Sequence, residues 1–410
     1  MMGRAKTILV ISCGAVMVLI SMGTRQSLGV FLQPITNDLG IGRATYSLAV
    51  AIQNIIFGLP LIGILADRFG PRWVAVGGGI LYAVGMVLIA FVNSTPTLTL
   101  TLGLLVGLAL SSTTYVVVLG AVAQVVPPER RSSSFGIITA AGSFGMFAMV
   151  PVAQQLLLNL GWRGAFIGLA VIVGLTALLA FGFPTSTQAP RAGQPRANQA
   201  EEEPLAAVLQ RAWRNGSYWL LIAGFFVCGF HVAFIATHLP AFLTDNAVSP
   251  RASSWALALI GLANIVGSYL FGYLGDRFRK KYLLSFLYFA RAIVISLFLF
   301  IPISNVSAIA FGAAIGFLWL GTVPLTSGAV SQIFGARYLA TLYGIVFFSH
   351  QIGAFFGVWL GGRVYDATGS YTTIWLAAIA LSLFAALVHL PIVEGKPAPL
   401  RRVVPAAEPA

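Results

Sequence analysis

The chain has 410 residues, of which 58% are hydrophobic and only 9% charged, with a mean hydropathy of +0.90. This composition excludes a soluble globular domain, because apolar runs of roughly 20 residues, the length that crosses a bilayer, fill nearly the whole sequence. A net charge of +13 would suggest nucleic acid in a soluble protein, but here the basic residues follow the membrane and no nucleic-acid partner is expected.

The N-terminus, MMGRAKTILVISCG, has the basic flank of a signal peptide in Arg4 and Lys6. Its apolar run continues past residue 30 without a small-residue cleavage site, so it reads as an uncleaved first span. Hydropathy and turn residues predict twelve spans, at 7–33, 43–66, 73–92, 97–126, 133–157, 162–184, 217–243, 252–274, 282–301, 305–333, 338–362 and 371–393. Glycine-rich stretches at 77–85 and 353–362 suit close helix packing in lipid. A polar segment rich in Pro, Gln and Ala, 184–204, separates the sixth span from the seventh. The expected organisation is an N-terminal half (1–184), a linker (185–216), a C-terminal half (217–393) and a tail (394–410). LAAVLQRAWRN, 205–215, reads either as a short helix on the membrane surface or as an extension of the seventh span. Cys13 and Cys228 lie in apolar spans far apart, and imply no disulfide framework.

With both termini and the linker on one side, that side holds every Lys and Arg except Arg43, Arg163, Arg251 and Arg363, which fall opposite, and Arg25 and Arg291, which fall inside spans. The positive-inside rule therefore puts termini and linker in the cytoplasm.

The two halves repeat each other. GILADRFGPR, 63–72, and GYLGDRFRKK, 272–281, occupy the same loop of each half, 209 residues apart. SSSFGIITAAGSFG, 132–145, matches ATLYGIVFFSHQIG, 340–353, aligning Gly136 with Gly344 and Gly145 with Gly353. GTRQSLGVFLQP, 23–34, lies over GFHVAFIATHLP, 229–240, and aligns Gly23 with Gly229, Arg25 with His231 and Pro34 with Pro240. A parallel repeat of six spans is the layout in which a site forms at mid-membrane between halves that rock against each other.

On these features the whole chain resembles the major facilitator superfamily, an all-α integral membrane fold of twelve transmembrane helices in two pseudo-symmetric six-helix halves. The signature loop G-x-L-x-D-R-x-G-x-R of that family is met by Gly63, Leu65, Asp67, Arg68, Gly70 and Arg72. The resemblance implies a cytoplasmic gate in which Asp67, Arg68 and Arg72 act as a latch. In the second copy Asp276 and Arg277 remain, while the later glycine is replaced by Arg279.

All eleven acidic residues fall in predicted loops, the linker or the tail. A carrier of cations, or one with a buried Asp or Glu as proton relay, needs a carboxylate inside the membrane; this sequence predicts none. The ionisable groups expected inside are Arg25, Arg291, His231, His238, His350 and His389. Arg25 stands where a charge costs at least ~2.5–3.5 kcal/mol, so such residues usually face a water-filled cavity. It can hold a carboxylate through two parallel charge-assisted hydrogen bonds and keeps its charge; a structural role on helix-end carbonyls, or snorkelling, is the alternative. His231, at the pseudo-symmetric position, is the expected partner facing Arg25 across the cavity. His231, His238 and His350 are the proton-coupling candidates, since histidine gains and loses a proton near neutral pH, and His350, like His231, is also a candidate substrate contact. Asn54, Tyr115, Asn264 and Trp319, with Gln53, Ser111, Ser112, Thr114 and Thr322, are the uncharged residues best placed to orient a ligand. Arg291, mid-span in the ninth helix, is expected to be structural.

The first-helix motif and the histidine-bearing seventh helix resemble bacterial relatives of monocarboxylate transporters. Two departures stand out: Gln26 falls where those carriers have a lysine, and Asn264 and Ser268 where they have an eighth-helix Asp and Arg. The Arg25 motif is also similar to organic-anion symporters that hold a carboxylate with a first-helix arginine. The antiporter signature G-P-x-x-G-G is missing from the fifth helix, GSFGMFAMVPVAQQ at 142–155. The expectation is thus a monomeric secondary transporter of the bacterial inner membrane that moves a small organic carboxylate with a proton. It would need no cofactor or metal and would not be an enzyme. Alternatives are an exporter or exchanger of amphiphiles or other anions, and a non-transporting sensor.

Overall fold

In lipid each backbone N–H and C=O needs a partner from its own segment, so a chain of apolar spans folds as helices. The computed structural model describes residues 2–59, 61–185, 204–335 and 338–394, and among these the regular structure is helical throughout. Ten helices are individually long and apolar enough to cross a membrane. Two further spans complete twelve. The run Pro128–Leu179 is two helices joined at Gly161, whose φ of 66° and ψ of 175° break the helical path. The second span consists of Arg43–Gly58 and Leu61–Phe69, each too short alone.

Where the spans deviate from straight helices, the sequence supplies the cause. Leu59 precedes a proline and is extended, with φ −73° and ψ 138°, as the proline ring disfavours helical geometry in the residue before it. The first span, Met2–Ser27, tightens into a 3-10 turn over Leu28–Phe31 and resumes as Leu32–Leu39, longer than the predicted 7–33. Pro34, which has no N–H and would crowd the carbonyl four residues earlier, accounts for that turn. The fourth span breaks at Thr114, between Val106–Thr113 and Tyr115–Val125. Its repeat mate, the tenth, breaks between Asn305–Phe317 and Thr322–Phe334. The remaining spans are Pro71–Ala90 (third), Gly216–Asp245 (seventh), Pro250–Arg277 (eighth), Lys280–Phe300 (ninth), Leu339–Thr368 (eleventh) and Thr372–His389 (twelfth).

The repeat alignment reappears as matched packing. A Cβ on Gly145 would lie 2.0 Å from the Leu19 carbonyl oxygen, and one on Gly353 would lie 1.9 Å from that of Phe226. The first helix therefore crosses the fifth as the seventh crosses the eleventh, backbone against backbone, with glycine at equivalent positions. Gly136 and Gly344, aligned equally well, have open space at Cβ and mark no crossing.

Of the linker, Leu205–Trp213 forms a helix with Val208 and Ala212 buried and Leu205 and Trp213 exposed, which favours the surface-helix reading of this stretch. Residues 186–203 and 395–410, the rest of the linker and the tail, lie outside the described residues.

Candidate functional site

The first helix carries Arg25 in its last α-helical turn, just before the 3-10 segment, near the middle of the span. The guanidinium Nη2 donates to Asn54 Oδ1 of the second span at 2.5 Å, and the group lies 5.2 Å from the centre of the Phe57 ring. Tyr82 and Tyr115 are within electrostatic reach. Among the described residues Arg25 forms no ion pair; the two salt bridges found are elsewhere, Arg43–Asp245 and Arg163–Asp38.

Arg25 lines a cavity between the first, second and seventh spans. Gln26, Leu28, Gly29, Val50, Gln53 and Asn54 come from the N-terminal half, and Val232, Ala233, Ala236 and Thr237 from the seventh helix. Its volume, about 20 Å³, is on the order of one water molecule. Gln53 Nε2 donates to the Leu102 carbonyl at 3.1 Å. Its Oε1, and Gln26 Nε2, have no partner although both residues are almost completely buried. Buried amide groups are normally paired, so this cavity holds an unused donor and acceptor beside a cation that has no ion pair among the described residues. Asn54 is fixed by its own helix, Nδ2 to Val50 O at 2.8 Å, and its carbonyl accepts from Gln351 Nε2 of the eleventh span at 3.0 Å.

The other sequence-predicted residues go to different places. His231 does not face Arg25. Its Nε2 donates to the Ala378 carbonyl on the twelfth span at 2.8 Å, and Nδ1 has no partner. The cavity takes 232, 233, 236 and 237 from the seventh helix, and the helical period turns 231 and 238 away from that face. His238 hydrogen-bonds the eleventh span and Tyr371. His350 is held by Gln351 Oε1 at 3.0 Å and stacks on Phe347 with centroids 5.7 Å apart. Tyr115 sits over Gly142, where an added Cβ would meet its hydroxyl at 2.4 Å. Asn264 bridges three elements: Nδ2 donates to Ser143 Oγ of the other half at 3.0 Å, while Oδ1 accepts from Leu320 N at 3.0 Å and Ser268 Oγ at 2.8 Å. Trp319 lies fully buried in the break of the tenth span. Arg291 caps that break, donating to the carbonyls of Leu318 and Trp319. Helix-end carbonyls carry partial negative charge, which matches the Arg291 guanidinium, and Asn264 and Trp319 lie beside the same break rather than in the Arg25 cavity.

Sequence reasoning missed the closure above the cavity, on the face away from the termini. Arg43 pairs bidentately with Asp245, at 2.6 and 2.8 Å, with Nη1 also donating to Tyr371 Oη at 3.1 Å. Its guanidinium lies 3.6 Å from the centre of the Tyr365 ring. Asp366 accepts from the backbone N–H groups of Arg43 and Ala44 at 2.9 and 2.8 Å, capping the second span from the opposite half. Below these, an added Cβ on Gly29 would lie 2.1 Å from the Ala236 carbonyl oxygen. The hydrogen bonds that join the halves run from this far face to mid-membrane, where Ser143–Asn264 and Asn54–Gln351 are the deepest.

A family model described as Major Facilitator Superfamily matches residues 14–247 and 235–409. The chain belongs to the major facilitator superfamily. Among similar superfamily members, YcxA of Bacillus subtilis, an uncharacterized MFS-type transporter, is 25% identical over 89% of this chain and 90% of its own. Monocarboxylate transporter 13 of Rattus norvegicus is 28% identical over 84% and 78%, and YhjX of Escherichia coli, also uncharacterized, 27% identical over 77% and 78%. The fold is similar to that of a solved structure described as a bacterial homolog to the human lysosomal transporter Spinster, that protein being in an inward-facing and unoccupied conformation. The TM-score is 0.78 at 16% identity, covering 94% of this chain and 96% of that one.

In this superfamily member the signature loop makes contacts within each half. Arg72 Nε donates to the Phe183 carbonyl at the end of the sixth span at 2.7 Å, and Lys281, its repeat mate, to the Leu390 carbonyl at the end of the twelfth at 3.0 Å. Gly70 has φ 85°, a conformation that suits glycine. Gly63 approaches Val116, Arg68 lies over the Phe69 ring and Arg277 over the Tyr273 ring. Asp276 is exposed, and the side chain of Asp67 lies outside the described residues.

Proposed function

We propose that this transporter moves a small organic carboxylate together with a proton, by alternating access, with Arg25 as the carboxylate anchor. The carrying observation is a mid-membrane arginine that lines a cavity between the halves and has Asn54 and an aromatic ring, rather than a carboxylate, as its neighbours. An anion entering from solution supplies the missing countercharge, and the guanidinium fork matches a carboxylate's two oxygens. The unpaired amides of Gln26 and Gln53 suit a second polar group on the ligand, and Leu28, Val50, Val232, Ala233 and Ala236 a short aliphatic body. Similarity to proteins named monocarboxylate transporters supports the same class.

The proton is assigned to a buried histidine of the seventh helix, since among the described residues no carboxylate stands beside Arg25. The loop charges support both termini in the cytoplasm of a bacterial cell with the far face outside, and a monomer suffices because the two halves enclose one cavity. On this reading the conformation is closed outward. Uptake of a panel of labelled carboxylates into proteoliposomes under an inward proton gradient tests the class. Accumulation of one acid that collapses with the gradient is the expected result; accumulation of none would refute it.

A further inference from the structure

His238 stands at the junction of the two halves, one layer below the Arg43–Asp245 pair. Its Nε2 is 2.8 Å from the Val358 carbonyl oxygen, its Nδ1 is 3.0 Å from Tyr371 Oη, and Ser47 Oγ of the N-terminal half lies 3.4 Å from Nε2. A carbonyl only accepts, so Nε2 carries the hydrogen and Nδ1 is the acceptor of the Tyr371 hydroxyl. Tyr371 Oη in turn accepts from Arg43 Nη1. The closed face thus contains a directed chain, Arg43 to Tyr371 to His238 to Val358, whose middle link, from the Tyr371 hydroxyl to Nδ1, requires the neutral ring.

We infer that His238 is the proton-sensitive pin of the outward gate: with the far face open the ring takes a proton from the outside solution, and it returns that proton to the same water before the face closes on the neutral ring. With a proton on Nδ1, Tyr371 loses its acceptor and its oxygen must accept from two cations. The ring then carries a positive charge, fully buried, in a neighbourhood already holding the Arg43 guanidinium. The charged and titratable groups around it are Arg43 on the second span, Asp245 on its own helix, Tyr365 and Asp366 on the eleventh span, and Tyr371 before the twelfth. Asp245 is paired with Arg43 and bonded to Gln33, and Asp366 accepts from two backbone N–H groups, and the hydrogen bonds of the His238 ring go to neither carboxylate. A conformation that binds fewer protons is disfavoured as pH falls, so acid shifts the population toward the open far face. The inference takes from the transport reading only the direction of opening, and it gives the proton a role in the gate without contact with the carboxylate.

The test needs no substrate. Nitroxide labels at Asn93→Cys and Arg251→Cys, both exposed on the far face in opposite halves, report its opening by pulsed electron–electron distance measurement, with Cys13 and Cys228 replaced by serine. Lowering pH from about 8 to about 5, across the range where histidine titrates, is predicted to raise the long-distance population, by at most about tenfold per pH unit for one proton. His238→Gln keeps a donor for Val358 but cannot titrate, and is predicted to stay closed throughout; His231→Gln should respond as the parent does. A pH-independent parent, or a His238→Gln protein that opens as the parent does, overturns the inference. If His238→Gln does not fold, Tyr371→Phe decides: it should open more than the parent at about pH 8, and an unchanged distribution would overturn the inference. Acid opening in a protein that transports no carboxylate would leave the gate standing and sink the substrate reading, and the converse result would separate them the other way.

Discussion

Asp245→Asn removes the charge from the ion pair that joins the halves at the far face, while keeping the side chain's size. The pair is bidentate, and its side chains are 9% and 24% exposed. That places it between fully exposed pairs, worth roughly 0–1 kcal/mol, and fully buried ones, where losing one partner costs roughly 3–5 kcal/mol. About 2–3 kcal/mol of closed-state stability should be lost. Since the pair holds the halves together only when the far face is closed, nearly all of that loss falls on the closed conformation. At about 1.4 kcal/mol per factor of ten, the open-to-closed ratio rises roughly 30- to 150-fold. Distance distributions between the labels at Asn93→Cys and Arg251→Cys measure this ratio. Arg43→Gln should shift it comparably, and the double variant should shift it by much less than the sum, as for residues in direct contact. A distribution unchanged in Asp245→Asn, or full additivity in the double variant, would refute the assignment of this pair as the far-face closure.

Further predictions concern packing, Arg291 and His231. Gly353→Ala places a methyl 1.9 Å from a backbone oxygen and should destabilise the protein by at least ~1–3 kcal/mol, whereas Gly344→Ala, with open space, should leave the thermal unfolding temperature within a degree or two, about the effect of a neutral surface change. Arg291→Lys keeps the charge but loses the fork that caps Leu318 and Trp319; thermal unfolding should fall while the KM of the folded fraction stays at the parent value. A raised KM with unchanged stability would instead make Arg291 a ligand contact. His231→Gln preserves the donor to Ala378, so gradient-driven uptake should retain its parental rate and pH profile; loss of proton coupling in this variant would return His231 to the cavity.

Much of the fold was legible because it follows from short-range rules. Hydropathy marked the twelve spans, and Gly145 and Gly353 gave the register between repeats, which backbone crossings then reproduce. Repeat symmetry fixed where a backbone position sits, but not where its side chain ends. Arg25 and His231 occupy equivalent places, yet the long guanidinium reaches Asn54 of the second span while the shorter imidazole reaches Ala378 of the twelfth. Gln53 was among the residues expected to orient a ligand, whereas the buried amide of Gln26 was overshadowed by Arg25 beside it in the motif. The far-face closure stayed hidden because its members are 202 and 323 residues apart and each reads alone as a loop charge. A usable signal existed: the far-face loops are sparsely charged, and Arg43, Asp245 and Asp366 all stand at span ends. The break of the fourth span was not legible, since no proline marks it; in the tenth, Pro324 just past the break was a signal, and Asn264 and Arg291 hold that break from neighbouring helices.

The most direct measurement is gradient-driven carboxylate uptake by the parent, Arg25→Lys and Arg25→Ala proteins reconstituted at equal amounts. Losing a charged, desolvated contact of this kind costs roughly 2–5 kcal/mol, so Arg25→Ala should transport at least ~30-fold less efficiently, with its unfolding temperature preserved. Arg25→Lys, a point charge without the fork, should fall between the two. Parental uptake by Arg25→Ala would contradict the account at its centre.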